Sequence, residues 1–140
     1  MSRRITQREL RNESIDTSAV IGLELIEPAD LPVELAVSAV TMAELAAGPH
    51  ATADPAERAR RQDRLQRAEA TFEPLPVGAA VARAYGRLYA AVGAAGRKAH
   101  GPRAVDLLIA ATAVAAGLPL YTRNPDDFAG LSEVLEIVAV

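Results

Sequence analysis

From Leu107 to Thr122 the chain carries no charged residue, and Gly117 with Pro119 splits that run into two elements. Residues 104–116 are rich in Ala, Leu and Ile and are long enough for about three turns of helix. Gly117 suits the left-handed position just past a helix end, and Leu118 to Thr122 reads as a short buried strand. A helix that is apolar on every side leaves no face for water, so it belongs in an interior. Asp106, read at the first turn of this helix, is the anomaly. An ionised carboxylate taken out of water is costly unless a cation or strong donors meet it. The alternative is that Asp106 only complements the dipole at the helix N-terminus.

A chain of 140 residues is one ordinary domain, large enough for a core of its own. Aromatic residues make up only 4%, so that core must rest on Leu, Val, Ile and Ala. The sequence has no Cys, which excludes disulfides, thiolate metal sites and a Cys nucleophile. It also fits the cytoplasm, the expected compartment, as does an N-terminus without the apolar stretch of a signal peptide. The longest uncharged run is too short to cross a membrane. A net charge of −3 means that nucleic-acid binding would need local basic patches rather than a global field. With His only at 50 and 100, a His-rich metal site or a His-based triad has little material.

Met1 to Asn12 is polar and basic and offers only Ile5 and Leu10 for burial, so residues 1–13 are expected to form an arm outside the core. The domain proper is expected at 14–140. Ile15 ends a short strand before Asp16, and a helix follows from near Thr17. Leu35 to Val40 reads as a second strand, and Thr41 starts a helix that Gly48-Pro49 interrupts. Pro55 to Phe72 is a charged helix in which Arg58, Arg60, Arg61, Arg64 and Arg67 crowd together; it reads as a solvated face or as a patch facing RNA or a partner. Leu75-Pro76-Val77 could be a short strand. Val81, Tyr85, Leu88 and Val92 then recur at three- and four-residue steps, an apolar stripe on the next helix. Val134 to Val140 reads as a terminal strand. Strands alternating with helices predict an α/β fold with a mostly parallel sheet, whose sites form beyond the carboxyl ends of the strands.

Asp16, Glu44 and Asp106 all fall at positions of that kind. Each has a local explanation as well. Asp16 could cap the helix near Thr17, and Thr41-Met-Ala-Glu44 is a capping box. Caps do not require three carboxylates from three segments to share one strand-to-helix placement. Carboxylates that converge stay ionised only around a cation, and oxygen ligands without His or Cys select Mg²⁺, or Mn²⁺, over zinc.

Ile15 to Ile21, Ser38 to Gly48, Asp106 to Ala113 and Leu120 to Phe128, in this order and spacing, resemble PIN-domain ribonucleases. More narrowly they resemble VapC toxins of type II toxin–antitoxin systems, and the resemblance covers Ser14 to Val140. It implies a three-layer α/β fold and an Mg²⁺-dependent endoribonuclease that restrains translation and growth. A cognate VapB-type antitoxin and a homodimer are further implications. Carried over by motif, Asp16, Glu44 and Asp106 would be the catalytic, metal-binding acids, with Ser18 and Thr122 as supporting polar residues. The family's fourth acid falls two residues after the position of Thr122, where this chain has Asn124; Asp126 and Asp127 are candidates to compensate. Arg103 and Arg123 are expected to contact RNA phosphate. Met1 to Ser14 resembles instead the opening of a Phd/YefM-type antitoxin. The alternative reading is a catalytically weak PIN-like module that binds an antitoxin or RNA, favoured by Asn124 and by the short first strand.

Overall fold

Four strands of three residues each, β1 (Glu13–Ile15), β2 (Leu35–Val37), β3 (Leu120–Thr122) and β4 (Ile137–Ala139), pair in parallel in the order β2-β1-β3-β4. The computed structural model describes residues 13–15, 35–94 and 102–140, which also form helices α1 (Ala39–Ala47), α2 (Pro55–Thr71), α3 (Ala79–Ala94) and α4 (Pro102–Ala116). Two 3₁₀ turns, Gly48–Ala51 and Pro125–Phe128, complete the described elements. Residues 1–12 lie outside the described part, and Glu13 already pairs with Leu35 in β1.

Alternation along the strands sorts the core into two halves. Leu120 and its register partner Ile137 belong to one cluster with Val81, Ala84, Leu88 and Val92 of α3 and Leu107, Ile109, Ala110, Ala111 and Ala113 of α4. Tyr121, one residue on, packs with Val37, Leu45 and Ala68 and with Met42, Leu65 and Phe72. Helices α3 and α4 therefore cover one face of the sheet, and α1 and α2 the other. This is the three-layer α/β arrangement that the sequence predicts. The stripe on α3 is as expected except that Ala84 takes the buried position and Tyr85 lies half-buried, its ring 6.3 Å from that of Tyr89.

Strand ends differ from their sequence-based limits for local reasons. β2 stops at Val37 because Ser38 caps α1: its Oγ accepts from the Thr41 amide at 2.9 Å and donates to Thr41 Oγ1 at 3.1 Å. Leu75 makes only a single bridge beside Ser38, with its amide on the Val37 carbonyl and its carbonyl receiving the Ala39 amide, both at 2.8 Å. Pro76, lacking an N–H, cannot extend that pairing. β3 starts at Leu120 because Gly117, at φ +69°, closes α4 in a Schellman turn. The Gly117 amide reaches the Val114 carbonyl and the Leu118 amide reaches that of Ala113. The last strand is shorter than Val134 to Val140, since Val134 and Leu135 both donate to the Leu131 carbonyl in a turn that buries Leu131 and Leu135. Among the described residues no helix is long and apolar enough to cross a membrane.

Ser38 and Thr41 are both fully buried. Ser38→Ala is therefore expected to cost about 1–2 kcal/mol, by losing the cap and stranding the Thr41 hydroxyl. Urea denaturation checks this, and a variant as stable as the parent would show that water or another group replaces the cap.

Candidate active site at the carboxyl edge of the sheet

Ile15 stands in register with Val37 on one side and with Tyr121 on the other, so β2, β1 and β3 end side by side. The chain leaves β1 for β2 in one direction and reaches β3 in the other, which makes this edge the switch point where α/β folds place ligands. Asp16 follows β1, Ser38 and α1 follow β2, and Arg123-Asn124 follows β3. α4 precedes β3 with only residues 117–119 between them, so it runs back along the sheet for about 22 Å. Its N-terminal turns thus return to the same edge, and α4 also contacts α1.

Both described acids of the expected set sit deeper in their helices than the sequence suggests. α1 begins at Ala39, not Thr41, so the capping box Thr41-Met-Ala-Glu44 is not formed and Glu44 lies in the second turn, exposed. α4 begins at Pro102, so Asp106 lies past the first turn, half-buried. A dipole contribution fades beyond the first turn. Neither carboxylate is explained by capping its own helix. Asp16 and Ser18 lie outside the described residues, as does the side chain of Arg103, whose backbone is in the first turn of α4.

At the end of β3, Thr122 is fully buried and its Oγ1 accepts from the Asn124 amide at 3.0 Å. That bond bends the chain out of the sheet, and the Asn124 carbonyl then takes the Asp127 amide at 3.0 Å to start the 3₁₀ turn. Phe128, buried, anchors the turn. Thr122 thus supports the exit from β3, while Arg123, Asn124, Asp126 and Asp127 stand exposed around it.

The five arginines of α2 are alike in sequence and distinct in the fold. Arg58 donates to the carbonyls of Pro49 and Thr52, and Arg61 donates to that of Gly48 at 2.9 Å. Both thereby tie α2 to the 3₁₀ turn that follows α1. Arg60 and Arg61 hold Glu57 between them, and their hydrogen bonds keep its carboxyl below the usual carboxylate range. Arg67 pairs with Asp63 on the exposed side. Arg64 instead lines a groove of about 330 Å³ with Glu44, Leu45, Gly48, Glu57 and Arg61.

Among the described residues no three His, Cys, Asp or Glu side chains form a metal-holding group. Of the expected three acids, two are described and the third is Asp16. The donor chemistry available is nevertheless one-sided: the chain has no Cys, and His50 is exposed on the 3₁₀ turn after α1. Carboxylate oxygens suit a hard divalent cation.

Residues 15–134 match the PIN domain family. Ribonuclease VapC5 of Mycobacterium tuberculosis is 37% identical over 131 residues, 90% of this chain and 93% of that protein. Ribonuclease VapC4 of the same organism is 36% identical over 134 residues, covering 94% and 98%. Among solved structures, a member of the VapBC family of toxin-antitoxin systems from M. tuberculosis, VapBC-5, superposes with a TM-score of 0.81 at 36% identity, over 92% of this chain and 98% of that one. VapBC-1 from nontypeable Haemophilus influenzae has the same fold, with a TM-score of 0.71 at 22% identity. The chain therefore belongs to the PIN-domain family, in its VapC branch.

Proposed function

We propose that this protein is the toxin of a type II toxin–antitoxin pair, a divalent-metal-dependent endoribonuclease that cuts RNA phosphodiester bonds and so restrains translation and growth. The observation that carries the reading is the position of Glu44 and Asp106. Each is set past the first turn of a helix that meets the carboxyl edge of the sheet, where neither is needed as a cap. The relatives named ribonuclease VapC support the reaction, and the similarity to VapBC-5 supports a VapB-type antitoxin as partner.

In this reading Asp16, Glu44 and Asp106 hold Mg²⁺ or Mn²⁺. When bound, such an ion supplies Lewis acidity at the phosphate and lowers the pKa of the attacking water. The protein's own groups do the rest. The carboxylates fix the ion, Arg103 and Arg123 bind phosphate oxygens, and the Thr122 turn holds Asn124 at the rim. A negative pocket of this kind also suits inhibition by a cationic side chain of the antitoxin, since an Arg fork satisfies two carboxylates at once. A homodimer in solution and a place in the cytoplasm belong to the same proposal.

Asp106→Asn is expected to abolish metal-dependent RNA cleavage while leaving thermal stability equal or higher, because removing one like charge relieves the metal-free site. Cleavage of total RNA with and without Mg²⁺, set beside a melting curve, checks both halves. A variant that unfolds, with the folded fraction still cutting RNA, would make Asp106 structural.

Asn124 favours the rival reading of a weak, mainly binding module. Three carboxylates suffice for one Mg²⁺ and are marginal for two, and Asn124 offers a neutral carbonyl where the family has an acid. Asn124→Asp should therefore raise activity at low Mg²⁺ and lower the Mg²⁺ requirement. If its titration curve stays in place while that of Asp127→Ala moves upward, Asp127 is the compensating acid instead.

A further inference from the structure

Among the arginines of α2, Arg64 alone has no bonding partner within the described residues. Glu57, Arg61, Arg64 and Ala68 recur at three- and four-residue steps, so they share the face of α2 that meets α1. The contacts run in antiparallel order. Arg61 reaches the Gly48 carbonyl, Arg64 lies beside Glu44 and Leu45 in the groove, and Ala68 joins Leu45 and Val37 in the core. Arg64 is half-buried in that groove. Unlike Arg58, Arg60, Arg61 and Arg67, it makes no hydrogen bond or ion pair among the described residues. The other cation of the groove, Arg61, is spent on Glu57 and Gly48. A half-buried arginine that lines one groove with a candidate metal-binding acid, its guanidinium unpaired among the described residues, is arranged to receive an anion from outside the chain. A volume of about 330 Å³ is at the small end of the range for ligand clefts.

We propose that Arg64 is a substrate-positioning residue that binds a backbone phosphate of the RNA where the strand passes between α1 and α2 next to Glu44. The inference rests on the function proposed above. Its fork would hold the phosphate bidentately, which anchors the strand without reading its bases.

Binding of a fluorescein-labelled single-stranded RNA of mixed sequence to the full chain, followed by anisotropy in Ca²⁺ over a series of salt concentrations, tests this. Arg64→Gln is expected to weaken binding about tenfold, the worth of one charge-assisted bond. It should also flatten the slope of log affinity against log salt by about 0.7, the share of one single-strand phosphate. In Mg²⁺ its KM should rise with kcat unchanged. Arg64→Met, which keeps an unbranched apolar stem, must give the same shifts should the Gln variant fail to fold. Arg60→Gln and Arg67→Gln, on the solvent side and already ion-paired, should bind like the parent. An unchanged salt slope in both Arg64 variants overturns the proposal. So does a loss confined to kcat, or RNA binding that holds while the complex with the antitoxin weakens. A parent protein that neither binds nor cuts RNA contradicts the proposed function itself, and this inference with it; a parent that cuts RNA with parent-like Arg64 variants contradicts this inference alone.

Discussion

The parallel pairing of β1 with β2 on one side and β3 on the other is the constraint on which the molecule depends. Parallel strands all end at the same edge, so whatever residue types follow them are forced into neighbourhood. The strands are only three residues long, and their pairing by itself would be marginal. Burial on both faces makes up the difference. Leu120 and Ile137 look one way into α3 and α4, and Val37 and Tyr121 look the other way into α1 and α2. Each fully buried Leu contributes roughly 1.5–3 kcal/mol, far more than any surface ion pair here.

That division of labour also explains the two chemistries on the helices. α4 is stabilised by Leu107, Ile109 and the alanines that pack on α3, while Asp106 lies past its first turn. α1 is fixed by Ser38 at its start and by Arg58 and Arg61 around its end. Glu44 lies in the second turn of α1, on its exposed side, and takes no part in capping that helix. Glu44 and Asp106 are thus carried by helices whose ends and packing rest on other residues.

Much of this was legible in the sequence because the signals are long. The stripe Val81, Leu88, Val92 and the apolar run of α4 span several turns, and periodicity over that length identifies a buried helix face. Gly117 marked the helix end through its need for a positive φ. The starts of α1 and α4 were misplaced for opposite reasons. Thr41 with Glu44 imitates a capping box and so masks the better cap at Ser38; Pro102, well suited to a first helical position, lies just before the apolar run from 104 that marks the helix in sequence. Strand limits were blurred because three residues hold too little alternation to read. Arg64 could not be told from its neighbours, since only the folded hairpin of α1 and α2 distinguishes arginines bonded to carbonyls from one left facing a groove.

Asp16, Glu44 and Asp106, from three segments, are proposed to form one metal site. Calorimetric titration of Mn²⁺ into the full chain and into Asp16→Asn, Glu44→Gln and Asp106→Asn tests it most directly. One strong site is expected in the parent and a loss of roughly tenfold or more in each variant, since even outer-shell changes cost that much. Parent-like binding in any one of the three would contradict a shared site.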